Sequence, residues 1–305
     1  MTHFLPTDDS DELRKRWLNR YLNQQAKFDT KLRTLLIASA EDAYDQVYAL
    51  DKSSTFSSGV RTAKTRMAIK VIQGVLKDLF DEAIPLITDG QKQMAGKSAD
   101  ALLETDRRYL EAVFREASGS TGISVKSFIE GQKAEAMTGV VHAVQRITKT
   151  EQSLSARVYR TRALANGWVS KQINSVIVRS GSAKEIAMAV RSSIRPNTPG
   201  GVSYAALRLG RTELNNAFHA TAINMAENRP WITGMGWHLS TTHTFDPKRP
   251  DICEAYDGKI FKIDETPAKP HPQCRCWVAP EVESFEMFLS NLTAGSYRDW
   301  IENAA

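Results

Sequence analysis

Apolar residues recur at three- and four-residue steps through the first third of the chain. Leu13, Trp17, Tyr21, Phe28, Leu32, Leu35, Leu36, Ala43, Val47 and Leu50 form one stripe, which predicts a long amphipathic helix over about Asp9 to Leu50, with Asp9 or Ser10 as its cap. The Ser/Thr/Gly stretch Ser53–Gly59 ends it. A second helical pattern runs from about Val60 to Ala117, with Met67, Val71, Val75, Leu79 and Ile84 on one face. Pro85 and Gly90 should kink or divide it, because proline removes a donor and clashes with the preceding turn. Ser118–Gly122 reads as a loop, and residues 124–194 as three or four shorter helices. Ser182 and Glu185 have the spacing of a capping box ahead of Ile186, Met188 and Val190.

The texture changes after Arg195–Gly201, where two prolines and two glycines mark the best linker in the chain. Ser203 is positioned to cap a helix over about Tyr204 to Glu227. Short β-like runs follow at Ile232–Ser240, Lys259–Ile263 and Cys276–Val278, separated by proline-rich loops. A terminal helix is expected from about Ser284 to Asn303, carrying Phe285, Phe288, Leu289, Leu292, Tyr297 and Trp300. The expected fold class is mainly α: an elongated helical N-terminal body with a small C-terminal α+β module. The divisions read as 1–119 for the long-helix body, 120–202 for a helical segment, 203–283 for the module and 284–305 for the terminal helix.

Charge changes this picture in one place. Residues 1–119 hold 18 basic and 18 acidic side chains, whereas residues 120–202 hold 12 basic and 4 acidic ones. The middle segment thus carries the whole excess of a chain whose net charge is +5. Such a localised excess suits sequence-independent phosphate contact, and Arg157, Arg160, Arg162, Lys171 and Arg179 are the candidate contacts to double-stranded DNA. A solvated helical face is the alternative. The start of the chain lacks the basic and apolar regions of a signal peptide, and no apolar run is long enough for a membrane span, so a protein made and kept in the cytosol is expected.

The three cysteines, Cys253, Cys274 and Cys276, fall within 24 positions. An odd number in a chain without an export signal argues against a disulfide framework and for a metal or thiol site. His271 precedes Cys274 by three positions, a knuckle-like ligand spacing. Zinc takes four such ligands, and small modules use it as a staple. The preferred set is Cys253, His271, Cys274 and Cys276, with His243 as a substitute or outer partner. A catalytic thiol is a further option, but no base or oxyanion motif can be named for it. Arg211 and Glu213 stand two apart on one helix and so do not face each other; each is left as surface charge or as a partner for the module. His219 and His142 read as ordinary helix residues.

Arg211-Thr212-Glu213, the run from Trp237 to His243, Asp251-Ile252-Cys253, Asp257-Gly258 and His271-Pro272-Gln273-Cys274-Arg275-Cys276 together resemble the phage Mu F-like minor head proteins, also called phage head morphogenesis proteins. The likeness covers about residues 205–280. It implies a low-copy protein of the tailed-phage head that meets the portal and the scaffold or major capsid protein during assembly in the host cytoplasm, within the virion head, with a role near packaged DNA. The family's motif positions fall on Arg211, Glu213, His243, Asp251, Cys253, Asp257, Gly258, His271, Cys274 and Cys276. Some cysteine-rich members carry another cysteine where this chain has Pro250, which shifts weight onto the histidines here. The expectation is an assembly component and not an enzyme; the alternative is a metal-dependent nuclease or hydrolase using His243, Asp251 and His271.

Overall fold

The protein is described from a computed structural model, over residues 7–50, 58–116, 154–179, 182–196, 200–246, 248 and 250–298. It is mainly helical, with a small antiparallel sheet near the C-terminal end. The helices are α1 (Thr7–Ala49), α2 (Ser58–Glu116), α3 (Leu154–Val178), α4 (Ala183–Ile194), α5 (Val202–Glu227), α6 (Ile252–Tyr256) and α7 (Phe285–Thr293). The strands are β1 (Ile232–His238), β2 (Ile260–Phe261) and β3 (Trp277–Val282), in the order β2-β1-β3. No helix among the described residues is long and apolar enough to cross a membrane.

The chain forms two compact units that interleave in sequence. A mixed unit holds residues 1–25, 91–149 and 214–305, and a helical unit holds residues 26–90 and 150–213. In the helical unit, α1 buries Phe28, Leu32, Leu36, Ala40, Ala43 and Val47, and α2 buries Ala68, Ile72, Val75, Leu76, Leu79, Phe80, Ala83 and Ile87. The expected α2 face is thus right at Val75 and Leu79 but not at Met67, which is 56% exposed. Pro85 does not divide α2, which runs unbroken for 59 residues. Its ring stands on the exposed side, where water can satisfy the carbonyl that loses its partner.

Within the helical unit, several ion pairs join segments distant in sequence. Arg211 grips Asp29 with two nitrogens, at 2.6 and 3.0 Å, and Arg157 meets the fully buried Glu213 at 2.6 Å. Arg191 and Arg195 converge on Glu41. Glu213 and Arg211 are therefore not free surface charge; they lock α5 to α3 and α1. Gly210 makes the last of these approaches possible, since a Cβ there would lie 2.4 Å from the Phe28 ring. Ser182 and Glu185 form the expected capping box on α4. Ser203 does not cap α5 as expected; it sits inside the first turn and donates to the Arg195 carbonyl.

The mixed unit packs α2 and α5 against the sheet and α7. Its core gathers Leu102, Tyr109, Leu110, Met225, Trp231, Met235, Trp237, Val278, Phe288 and Tyr297, and the three cysteines lie in the same cluster. Phe288 meets Tyr109, Trp231 and Tyr297 at ring separations of 5.6, 6.5 and 5.1 Å. β3 continues past the expected Val278 to Val282 and includes Pro280, which pairs in register with Met235. Proline is tolerated there because β3 is an edge strand and needs no second ladder. Ser284 caps α7, which ends at Thr293; residues 299–305 of the expected terminal helix lie outside the described residues. So do Ser53–Ser57, Ser118–Gly122, His142 and residues 120–153 of the basic segment.

Candidate metal centre

Two short loops bring the sulfurs together. In the first, Asp251 caps α6, its Oδ1 accepting from the Cys253 amide at 3.1 Å, which fixes Cys253 in the first turn. In the second, His271 to Cys274 makes a tight turn closed by the Cys274 amide on the His271 carbonyl at 3.3 Å. Pro272 stands second in it and Gln273 third, with φ of 61°. Proline followed by a left-handed residue is the pattern of a type II turn, here with glutamine where glycine is usual. The turn aims His271 and Cys274 at Cys253.

The Cys253 sulfur lies 3.6 Å from the Cys274 sulfur and 3.5 Å from His271 Nε2. These three ligand atoms all fall within 4.8 Å of one another, so the group could hold a metal ion. The separations suit zinc: with bonds of about 2.3 Å to sulfur and about 2.0 Å to nitrogen, tetrahedral edges come to about 3.8 and about 3.5 Å. The His271 Nδ1 faces the Pro272 carbonyl at 3.1 Å, a second contact that orients a ligating ring. Its Nε2 also meets Asp251 Oδ2 at 2.9 Å.

Cys276 and His243 stand beside this group as a pair, Sγ to Nδ1 3.8 Å, and His243 Nε2 meets Glu254 Oε1 at 3.1 Å. The Glu254 carboxylate holds the His243 pKa above its ordinary value. The thiols influence one another. Burial, reinforced by Cys276, pushes Cys253 up to about 12. A hydrogen bond from Cys276 lowers Cys274, Lys269 adding to the effect, and giving that bond, together with burial, raises Cys276. Cys253, Cys274 and Cys276 are 0%, 1% and 2% exposed, so solvent does not reach the sulfurs.

The motif residues around the centre have structural tasks. Asp257 Oδ1 accepts from the Leu239 amide at 3.2 Å, and Gly258, at φ of 71°, turns the chain so that its own amide reaches the Trp237 carbonyl. Four residues that the spacing did not suggest also matter. Asn215 donates to the Cys274 carbonyl at 2.7 Å while its Oδ1 accepts from Tyr21 and Gln25. Glu254 holds His243, and Lys269 donates to the Cys276 carbonyl. His219 is buried against Trp237, its Nε2 on the Pro267 carbonyl at 2.8 Å, and burial drives its pKa down to about 3. The one advance signal was a polar residue at a buried position of an apolar helix face, and only Asn215 and His219 carry it.

Of the basic residues expected to meet DNA, Arg157 points inward to Glu213. Arg162 lies over the Tyr159 ring and 3.9 Å from Asp81. Arg160, Lys171 and Arg179 are exposed. Compared with known proteins, the chain matches no family model, no curated protein and no solved structure.

Proposed function

We propose that this chain is a minor head protein of a tailed phage, acting in head morphogenesis, and not an enzyme. The reading rests on the resemblance of residues 205–280 to the Mu F-like proteins. One observation supports it: nearly every residue carrying that resemblance serves to hold shape. Arg211 and Glu213 anchor α5, Asp251 caps, Asp257 and Gly258 turn the chain, and the cysteines sit in the core. A set of residues spent on rigidity suits a docking module better than a reaction centre.

In this reading the metal is zinc, bound by Cys253, His271 and Cys274 with Cys276 completing the four and His243 orienting Cys276. Zinc would supply folding free energy to a segment of short elements. The partners are the portal and the scaffold or major capsid protein, in the virion head, with assembly in the host cytoplasm. Arg160, Lys171 and Arg179 are the residues for non-specific contact with packaged DNA. The test is co-expression with the cognate portal. The protein should co-purify with the portal oligomer and carry about one zinc per chain, and failure of both would remove this reading.

A metal-dependent nuclease or hydrolase is the competing reading, and one contact favours it: Asp251 Oδ2 lies 2.9 Å from His271 Nε2, beside the metal group. A hydrolytic zinc needs an open position and a base. Sulfurs closed to solvent argue for a filled coordination shell instead. A chelator-sensitive nuclease activity lost in a folded His243→Ala protein would decide for the enzyme.

A further inference from the structure

We infer that Asn215 ties the candidate metal centre to the first turns of α1, so that metal occupancy and the docking of residues 7–25 depend on each other. The inference rests on the zinc reading above, and the residues it joins all belong to the mixed unit. It stands on a run of directed hydrogen bonds. Asn215 Nδ2 donates to the Cys274 carbonyl at 2.7 Å, and its Oδ1 accepts from the Tyr21 hydroxyl at 2.5 Å and from Gln25 Nε2 at 3.1 Å. A carbonyl only accepts, so the Cys274 end fixes which way the amide points, and with it the direction of both bonds to α1.

The anchored carbonyl belongs to the peptide that follows Cys274, with Cys276 two residues along, so holding it sets how the chain leads from one sulfur to the next. One turn further along α5, His219 Nε2 donates to the Pro267 carbonyl at 2.8 Å. Residues four apart share a helix face, so one face of α5 grips the chain on both sides of His271. Tyr21 is fixed against the same helix by its ring, which meets Phe218 edge-on at 5.0 Å. Asn215, Tyr21 and Gln25 are all buried, and a buried amide is costly to leave without partners. When the ligand loop relaxes on losing the metal, Asn215 loses its acceptor; when α1 withdraws, it loses two donors. Each event removes part of what holds the other, and by linkage the coupling is equal in both directions.

A mutant cycle on the full chain tests the coupling from both ends. Zinc affinity is measured by chelator competition, and hydrogen exchange follows the amides of residues 13–25 without zinc and at saturating zinc. Asn215→Leu should weaken zinc binding about 10- to 100-fold, the usual penalty for losing an outer partner of a metal site. Tyr21→Phe with Gln25→Leu removes both donors on α1 and should weaken it about three- to tenfold, although neither residue touches the metal ligands. In the Asn215→Leu background the same pair should change affinity by less than about twofold, because the relay is already broken. Zinc should slow exchange of residues 13–25 about tenfold in the wild type and less than about twofold in Asn215→Leu. Equal slowing in both proteins overturns the inference, since zinc then stabilises the unit without the relay. So does a Tyr21→Phe, Gln25→Leu protein that binds zinc like the wild type, a result that decides even where Asn215→Leu does not fold. A wild-type protein that gives no cobalt(II)–thiolate absorption band removes the zinc reading, and the coupling with it, an outcome distinct from these.

Discussion

The helical unit and the mixed unit share one device, the arginine–carboxylate pair between distant segments (Arg229–Asp106 in the mixed unit), and differ in a second. In the helical unit, long stripes on α1 and α2 bury large aliphatic side chains, and distant segments are keyed by arginine–carboxylate pairs such as Arg157–Glu213 and Arg211–Asp29. In the mixed unit, the C-terminal part is built from elements of two to nine residues, and its loops meet at three sulfurs inside the core with the His271 imidazole at their edge. Helices dozens of residues long supply enough apolar area to fix their own packing. Loops that carry a five-residue helix and a two-residue strand do not, so they need either a metal or dense hydrogen bonding to define one arrangement.

On the zinc reading proposed above, the sharpest way to break this comparison is to remove the candidate metal ligands. Chelation, or Cys274→Ser, should abolish hydrogen-exchange protection in β1, α6 and β3 while the α1 and α2 amides of the helical unit stay protected. Structural zinc contributes on the order of 10 kcal/mol to small sites, so this is the largest effect expected. Uniform loss of protection across both units would show that they are not separable in stability.

Breaking the ion-pair key should reverse the pattern. Glu213→Leu leaves the Arg157 guanidinium facing a buried apolar group and should cost about 3–5 kcal/mol in denaturant unfolding. Arg157→Met combined with Glu213→Leu should recover most of that loss, because a burden of desolvation disappears with both charges. Gly210→Ala tests the same region by shape alone: the new methyl meets the Phe28 ring, and a loss of about 1–3 kcal/mol is expected.

Acid should act on the mixed unit through His219. Its folded-state pKa is depressed to about 3 from an ordinary 6.5, so only the unfolded chain takes up its proton between those values. Stability should therefore fall as pH drops below about 6.5, at about 1.4 kcal/mol per pH unit from this group, and level off near pH 3. A His219→Gln protein should lack that slope; an unchanged pH profile would refute the assignment. The smallest expected effect is at the turn, where Gly258→Ala forces a left-handed side chain and should cost about 1 kcal/mol, seen as a lower melting temperature.

The sequence by itself determined the elements whose signal is local. The stripe of α1, most of that of α2, the capping box at Ser182 and Glu185, the start of α7 and the grouping of Cys253, His271 and Cys274 all follow from spacing along the chain. Periodicity also placed β1, since its residues carry β propensity and turn signals flank them. It missed the length of β3, because Pro280 argues against a strand until the strand is known to lie at an edge. It also let Pro85 and Gly90 kink or divide α2, which runs unbroken through both; for Pro85 the reason is that a sequence does not show which side of a helix faces water.

Only the tertiary structure decided the partners. Arg157 looked like a DNA contact by its neighbours in the chain, yet its carboxylate lies 56 positions away on α5. Arg211 finds Asp29 across 182 positions, and Asn215, Glu254 and Lys269 join the sulfur cluster with no motif to mark them. The physical reason is common to all of them. A buried charge or amide is specified by whichever complementary group the packed helices bring to it, and that group's sequence position is unconstrained as long as the distance in space is right.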